Sequence, residues 1–162
     1  MAKGNVRILT GNPAVRRWQT EANATAIYAG EPVKLKSSGS PYVIPLADAE
    51  PVIGTTTQMV GIAKSDSTQT ASADGFIDVY MCDEGDILLA AKAKSAAAFD
   101  TVSEINALRG DRVLFDLTSG VYTIDQSAGD TATSGVLIVD GNPTTREVYF
   151  KIRTSALQGP IA

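Results

Sequence analysis

The 162-residue chain carries 14 lysines and arginines against 18 aspartates and glutamates, a net charge of −4, with no histidine and one cysteine, Cys82. This inventory excludes an internal disulfide, a Cys-X-X-Cys redox pair, a Cys/His zinc site and histidine-based acid–base catalysis. The acidic balance argues against direct nucleic-acid binding, and no apolar run nears the roughly 18 residues of a membrane span.

The length suits one domain, and 44% hydrophobic residues suffice for a real core. No charged stretch followed by a long apolar core opens the chain, so no signal peptide is expected. Residues 1–29 differ from the rest. They carry Lys3, Arg7, Arg16 and Arg17 against Glu21 alone and are punctuated by Gly11-Asn12-Pro13. They read as an extended basic N-terminal arm centred on Arg16-Arg17-Trp18, with an N-terminal strand bearing solvated charges as the equal alternative. Trp18 is the only tryptophan. Trp and Arg are favoured interface anchors, so it either docks a partner or packs down on its own domain.

From Gly30 onward, residues 30–162 read as a β-rich globular domain. Glu31 to Lys36 alternates around Val33 and Leu35, a Ser/Gly/Pro turn follows, and Tyr42-Val43-Ile44 returns. Val52-Ile53 and Met59 to Ala63 are short apolar pieces. Phe76 to Met81 alternates, with Phe76, Asp78 and Tyr80 on one face and Ile77, Val79 and Met81 on the other. Cys82, at the end of that run, reads as a small core or edge hydrophobe rather than a nucleophile. Asp83-Glu84-Gly85-Asp86 turns into Ile87 to Ala91.

Thr101-Val102-Ser103-Glu104 is a capping box. Val102, Ile105 and Leu108 follow at helical spacing, with Arg109 and Gly110 suited to the helix end. One short helix is therefore expected, with Ala-rich Ser95 to Phe99 packed ahead of it. Strands resume at Arg112 to Leu117, Tyr122 to Asp125, Gly135 to Asp140 and Arg146 to Arg153, before a loose tail from Gln158. The expected fold is mainly β: a β-sandwich or barrel-like domain with one short helix and an extended N-terminal arm.

Two stretches look alike about 80 residues apart. Gly30-Glu31-Pro32-Val33-Lys34-Leu35 parallels Gly110-Asp111-Arg112-Val113-Leu114-Phe115, and Tyr42-Val43-Ile44 parallels Tyr122-Thr123-Ile124. Each is an acidic turn, an alternating strand, a Ser-Gly hairpin and a return strand. A duplication would give two related lobes at about 30–94 and 110–153; chance likeness of two hairpins is the competing account.

No glycine-rich phosphate loop of either common type occurs. Ser65 follows Lys64, but without the spacing and companion motifs of a Ser–Lys hydrolase. Asp83, Glu84 and Asp86 form the densest acidic cluster without the ligand spacing of a calcium loop, and read as a solvated turn. No catalytic, cofactor-binding or metal-binding residue is expected, and no cofactor.

Ala29-Gly30-Glu31-Pro32-Val33-Lys34-Leu35, then Val60-Gly61-Ile62-Ala63 and Phe76-Ile77-Asp78-Val79-Tyr80, resembles the N-terminal half of tailed-phage head decoration proteins. Gly110 to Asp125 and Gly135 to Gly141 are similar to capsid cement proteins of tailed phages, cyanophages included. The resemblance implies a non-enzymatic, β-rich homodimer or homotrimer on the outer capsid surface of a virion, clamping the major capsid protein, with no direct nucleic-acid or membrane contact. On that reading the capsid-docking residues are Arg7, Arg16, Arg17 and Trp18. Two other readings compete: a small trimeric all-β nucleotide hydrolase, and a carbohydrate-binding or tail-associated adhesion module.

Overall fold

Alternation of buried and exposed side chains, not helical periodicity, dominates the chain, and the computed structural model is accordingly mainly β. It describes residues 5–55, 59–82 and 87–157. Lys3, the acidic run 83–86 and the tail from Gln158 lie outside the described residues.

Six strands come first: β1 (Arg7–Thr10), β2 (Val15–Thr20), β3 (Pro32–Leu35), β4 (Val43–Pro45), β5 (Met59–Ala63) and β6 (Gly75–Met81). After β7 (Leu88–Lys92) and a 3-10 turn at Ala96–Ala98 comes the helix α1 (Val102–Leu108). The chain ends in β8 (Arg112–Val113), β9 (Phe115–Thr118), β10 (Val121–Ile124), β11 (Val136–Asn142) and β12 (Glu147–Ile152), with a last 3-10 turn at Thr154–Ala156. The helix starts as its sequence dictates. The Thr101 hydroxyl accepts from the Glu104 N–H, and the Glu104 carboxylate accepts from the Thr101 N–H. It stops at Gly110, whose φ of 89° is the left-handed conformation glycine adopts freely.

Two five-stranded antiparallel sheets result, in the orders β2-β6-β5-β3-β4 and β1-β7-β12-β11-β8, with β9 and β10 as a separate hairpin. Ser119 and Gly120, with φ of 53° and 77°, make the tight turn of that hairpin. The strands β2, β3, β5 and β6 define a first lobe in which the earliest strand lies beside the latest. The strands β7, β8, β11 and β12 repeat that order in a second lobe. The registers coincide as well. Val33 faces Gly61 and Gly61 faces Met81; Val113 faces Val136 and Val136 faces Ile152. Each lobe curls back on itself through one parallel bridge, Gln19 to Tyr42 in the first and Ala93 to Ile124 in the second. The sequence likeness of Val33 and Val113 thus falls on matching places in two barrel-like lobes.

The N-terminal segment is extended, but it is built into the body. Its strand β1 pairs with β7 of the second lobe, and its strand β2 pairs with β6 of the first. The reason is local: both have half-buried residues to place against a neighbouring strand, and Gly11 (φ 101°) and buried Pro13 turn the chain between them. Lobe limits of about 30–94 and 110–153 therefore omit the first strand of each lobe. The first begins at Val15 and the second at Leu88. Val52-Ile53 forms no strand; Val52 makes an isolated bridge to Ser134.

Two apolar cores fill the lobes. The smaller joins Ile27, Val33, Leu35, Val43, Val60, Ala63, Ile77, Val79 and Met81. The larger is centred on Leu89, Phe115, Tyr122, Val136, Val148 and Phe150 and includes Cys82. In it, the Phe115 ring meets Tyr122 and Phe150 edge-on at 6.2 and 5.5 Å. The connection leaving β4 straps the lobes together: Ala49 N–H donates to the Phe115 carbonyl, Phe115 N–H to the Glu50 carbonyl, and Gly135 N–H to the Pro51 carbonyl.

Candidate protein-binding face

The outward side of the β2–β6 ribbon combines exposed apolar, aromatic and basic side chains. In its register Val15 lies opposite Tyr80, Arg17 opposite Asp78, Trp18 opposite Ile77 and Gln19 opposite Phe76. Because side chains alternate across a strand, Trp18 and Ile77 point one way and Arg17 and Asp78 the other. Ile77 belongs to the core of the first lobe and Trp18 packs against that core. Phe76, 50% exposed, and Val15, 42% exposed, stand on the outer side.

The Arg17 guanidinium grips Asp78 with two bonds, Nε to Oδ1 at 2.9 Å and Nη2 to Oδ2 at 3.3 Å. This pairing raises the guanidinium pKa and lowers that of the carboxylate, with the side-chain hydrogen bond as its largest cause. Beside it, Lys64 Nζ sits 5.7 Å from the centre of the Tyr80 ring, a cation–π contact. The stretch after β5 runs along β6 and holds it: Asp78 N–H donates to Ser65 Oγ and Phe76 N–H to Thr68 Oγ1. Arg17, Ser65, Thr68, Phe76, Ile77 and Asp78 enclose a shallow concavity. The Arg16 side chain is exposed and makes no ion pair or hydrogen bond among the described residues.

The four residues read from the sequence as a docking set therefore separate. Arg17 lies on this outward side, whereas Arg16, opposite Val79, alternates to the side of Trp18 and Ile77, although it is exposed on the edge strand. Trp18, their neighbour in sequence, turns inward and packs on its own lobe. Arg7 lies on β1 in the other sheet, where it pairs with Glu147 at 3.0 Å. Sequence reasoning missed Val15, Lys64, Phe76 and Tyr80 as members of the face. The available signal was the alternation that grouped Phe76, Asp78 and Tyr80; which group faces out depends on a core that only the fold defines.

Among the described residues no three of histidine, cysteine, aspartate and glutamate gather as a metal site, and no helix is long and apolar enough to cross a membrane. No protein-family model matches the chain, and no curated protein matches it either.

Proposed function

We propose that this protein is a structural binding protein that decorates a phage capsid, attaching by the outer face of its first lobe to the major capsid protein. The observation that carries the reading is the exposure of Phe76 and Val15 around Arg17 on a hydrogen-bonded sheet face. Aromatic and arginine side chains on a rigid support are what protein interfaces use as anchors. The likeness of Ala29–Leu35, Val60–Ala63 and Phe76–Tyr80 to head decoration proteins supplies the partner. A chain without histidine is poorly equipped for common acid–base catalysis, which agrees with a scaffolding task.

The test is co-sedimentation of the purified protein with shells assembled from the major capsid protein of the same phage. Phe76→Ala is expected to weaken binding by about tenfold or more, as loss of an interface anchor does. Absence of binding by the unmodified protein, to mature and precursor shells alike, would overturn the reading.

A further inference from the structure

The two lobes differ at one edge. Following the registers from Val33–Gly61–Met81 and Val113–Val136–Ile152 along β6 and β12, Asp78 corresponds to Tyr149 and Val79 to Phe150. Their partners on the first strand of each lobe then correspond too: Arg17 to Ala90, and Arg16 to Leu89. In the second lobe the outer edge of β7 is covered, because β1 lies antiparallel to it, with Arg7 opposite Ala90, Ile8 opposite Leu89 and Thr10 opposite Leu88.

In the first lobe the same edge is open. Met81 N–H donates to the Ala14 carbonyl at 2.8 Å. Backbone groups alternate along an antiparallel pair, so Ala14, Arg16 and Trp18 bond to β6, while Val15, Arg17 and Gln19 turn theirs outward. Gln19 uses its outward groups in the bridge to Tyr42. Beyond β6, no strand among the described residues pairs with Val15 or Arg17.

We infer that this edge receives an extended, carboxylate-bearing segment of the partner protein, laid antiparallel to β2 as β1 is laid on β7. The inference rests on the reading of this lobe as the capsid-binding one and names how the partner is held. Charge complementarity selects the occupant. In the second lobe the matching position pairs Ile8 with Leu89, apolar on apolar; here the receiving residue is Arg16, exposed and unpaired, and its counterpart is a carboxylate. A second copy does not fit: pairing β2 with β2 of another molecule brings Arg16 and Arg17 of both strands together. The same arginines deter edge-to-edge association of copies.

Val15→Pro removes an outward N–H and leaves the bonds to β6 in place, a substitution edge strands accept. With its thermal midpoint kept within a few degrees, this variant is expected to bind capsid shells at least tenfold more weakly. Arg16→Glu is expected to weaken binding likewise, and Arg16→Lys to retain most of it. Hydrogen exchange is the direct readout. On shell binding, the Val15 and Arg17 amides gain protection, while those of Arg16 and Trp18, already bonded to β6, do not change. Unchanged exchange at Val15 and Arg17, or wild-type binding by Val15→Pro while Phe76→Ala fails to bind, overturns the edge inference and leaves the face reading standing. Undiminished binding by both variants overturns both. A dimer in light scattering that Val15→Pro dissociates identifies the occupant as a second copy and also overturns it.

Discussion

The hydroxyl of Tyr122, on β10 in the second lobe, donates a hydrogen bond to the main-chain carbonyl of Leu46, which leaves the first lobe just after β4. Both residues are 1% exposed. Burial, with Glu31 and Glu50 nearby, holds the phenol well above its ordinary pKa, so it remains a donor across the accessible pH range. Tyr122→Phe removes the donor and strands a buried carbonyl. The expected loss is about 1–3 kcal/mol, the usual cost of an unsatisfied buried acceptor. Urea unfolding at neutral pH measures it.

Because that bond and the strap from Ala49 to Pro51 tie the lobes, they are expected to unfold together. The only tryptophan, Trp18, reports on the first lobe, whereas far-ultraviolet circular dichroism reports on both. The two signals should give one coincident urea transition in the wild type. An earlier fluorescence transition would mean that the first lobe opens alone.

Gly61 tests how closely β5 and β6 approach. A Cβ built on it would stand 2.0 Å from the Tyr80 carbonyl oxygen, a main-chain atom that cannot swing away. Gly61→Ala is expected to destabilise strongly, to the point of insoluble expression. Gly39→Ala meets no neighbouring atom within 4 Å, only the strain of its φ of 75°, and should cost about 1 kcal/mol. Soluble yield and thermal midpoints of the two variants give the comparison.

Acid stability should carry the signature of Asp130. Its carboxylate accepts from Arg112 Nε and Nη2 at 2.8 and 2.6 Å and from the Arg112 N–H. The Arg112 side chain, with help from that backbone bond, lowers its pKa to about 2. An unfolded aspartate titrates near about 3.9. The native state therefore binds this proton less readily than the unfolded chain. The stabilisation is complete at pH well above 4 and fades as pH falls toward 2. Asp130→Asn is expected to flatten the stability–pH curve in that window; thermal melts from pH 2 to 6 read the slope.

Where structure is local, the residues announced it. Thr101 and Glu104 state the start of α1, Gly110 its end, and Phe76 to Met81 a half-buried strand. The shared pattern at Val33 and Val113 pointed to two matching strands. Pairing over distance was not legible. Nothing near Arg7 indicates that its strand lies against Ala90, and nothing near Val15 names Tyr80 as its neighbour. The four residues of the docking set are dispersed for a related reason. Arg17 and Trp18 are adjacent in sequence, and the pleat of a strand sends adjacent side chains to opposite faces.

The position of β1 has a mechanical consequence. The strand made early in synthesis covers the edge of a lobe made late, so Arg7–Thr10 has no strand to lie against until Leu88 to Ala90 have been made. Once it is in place, any force that parts the two lobes loads the short β1–β7 ladder and the Arg7–Glu147 pair as well as the strap. The chain is a clasp rather than two beads on a string, so the lobes are expected to part only when both fastenings give way.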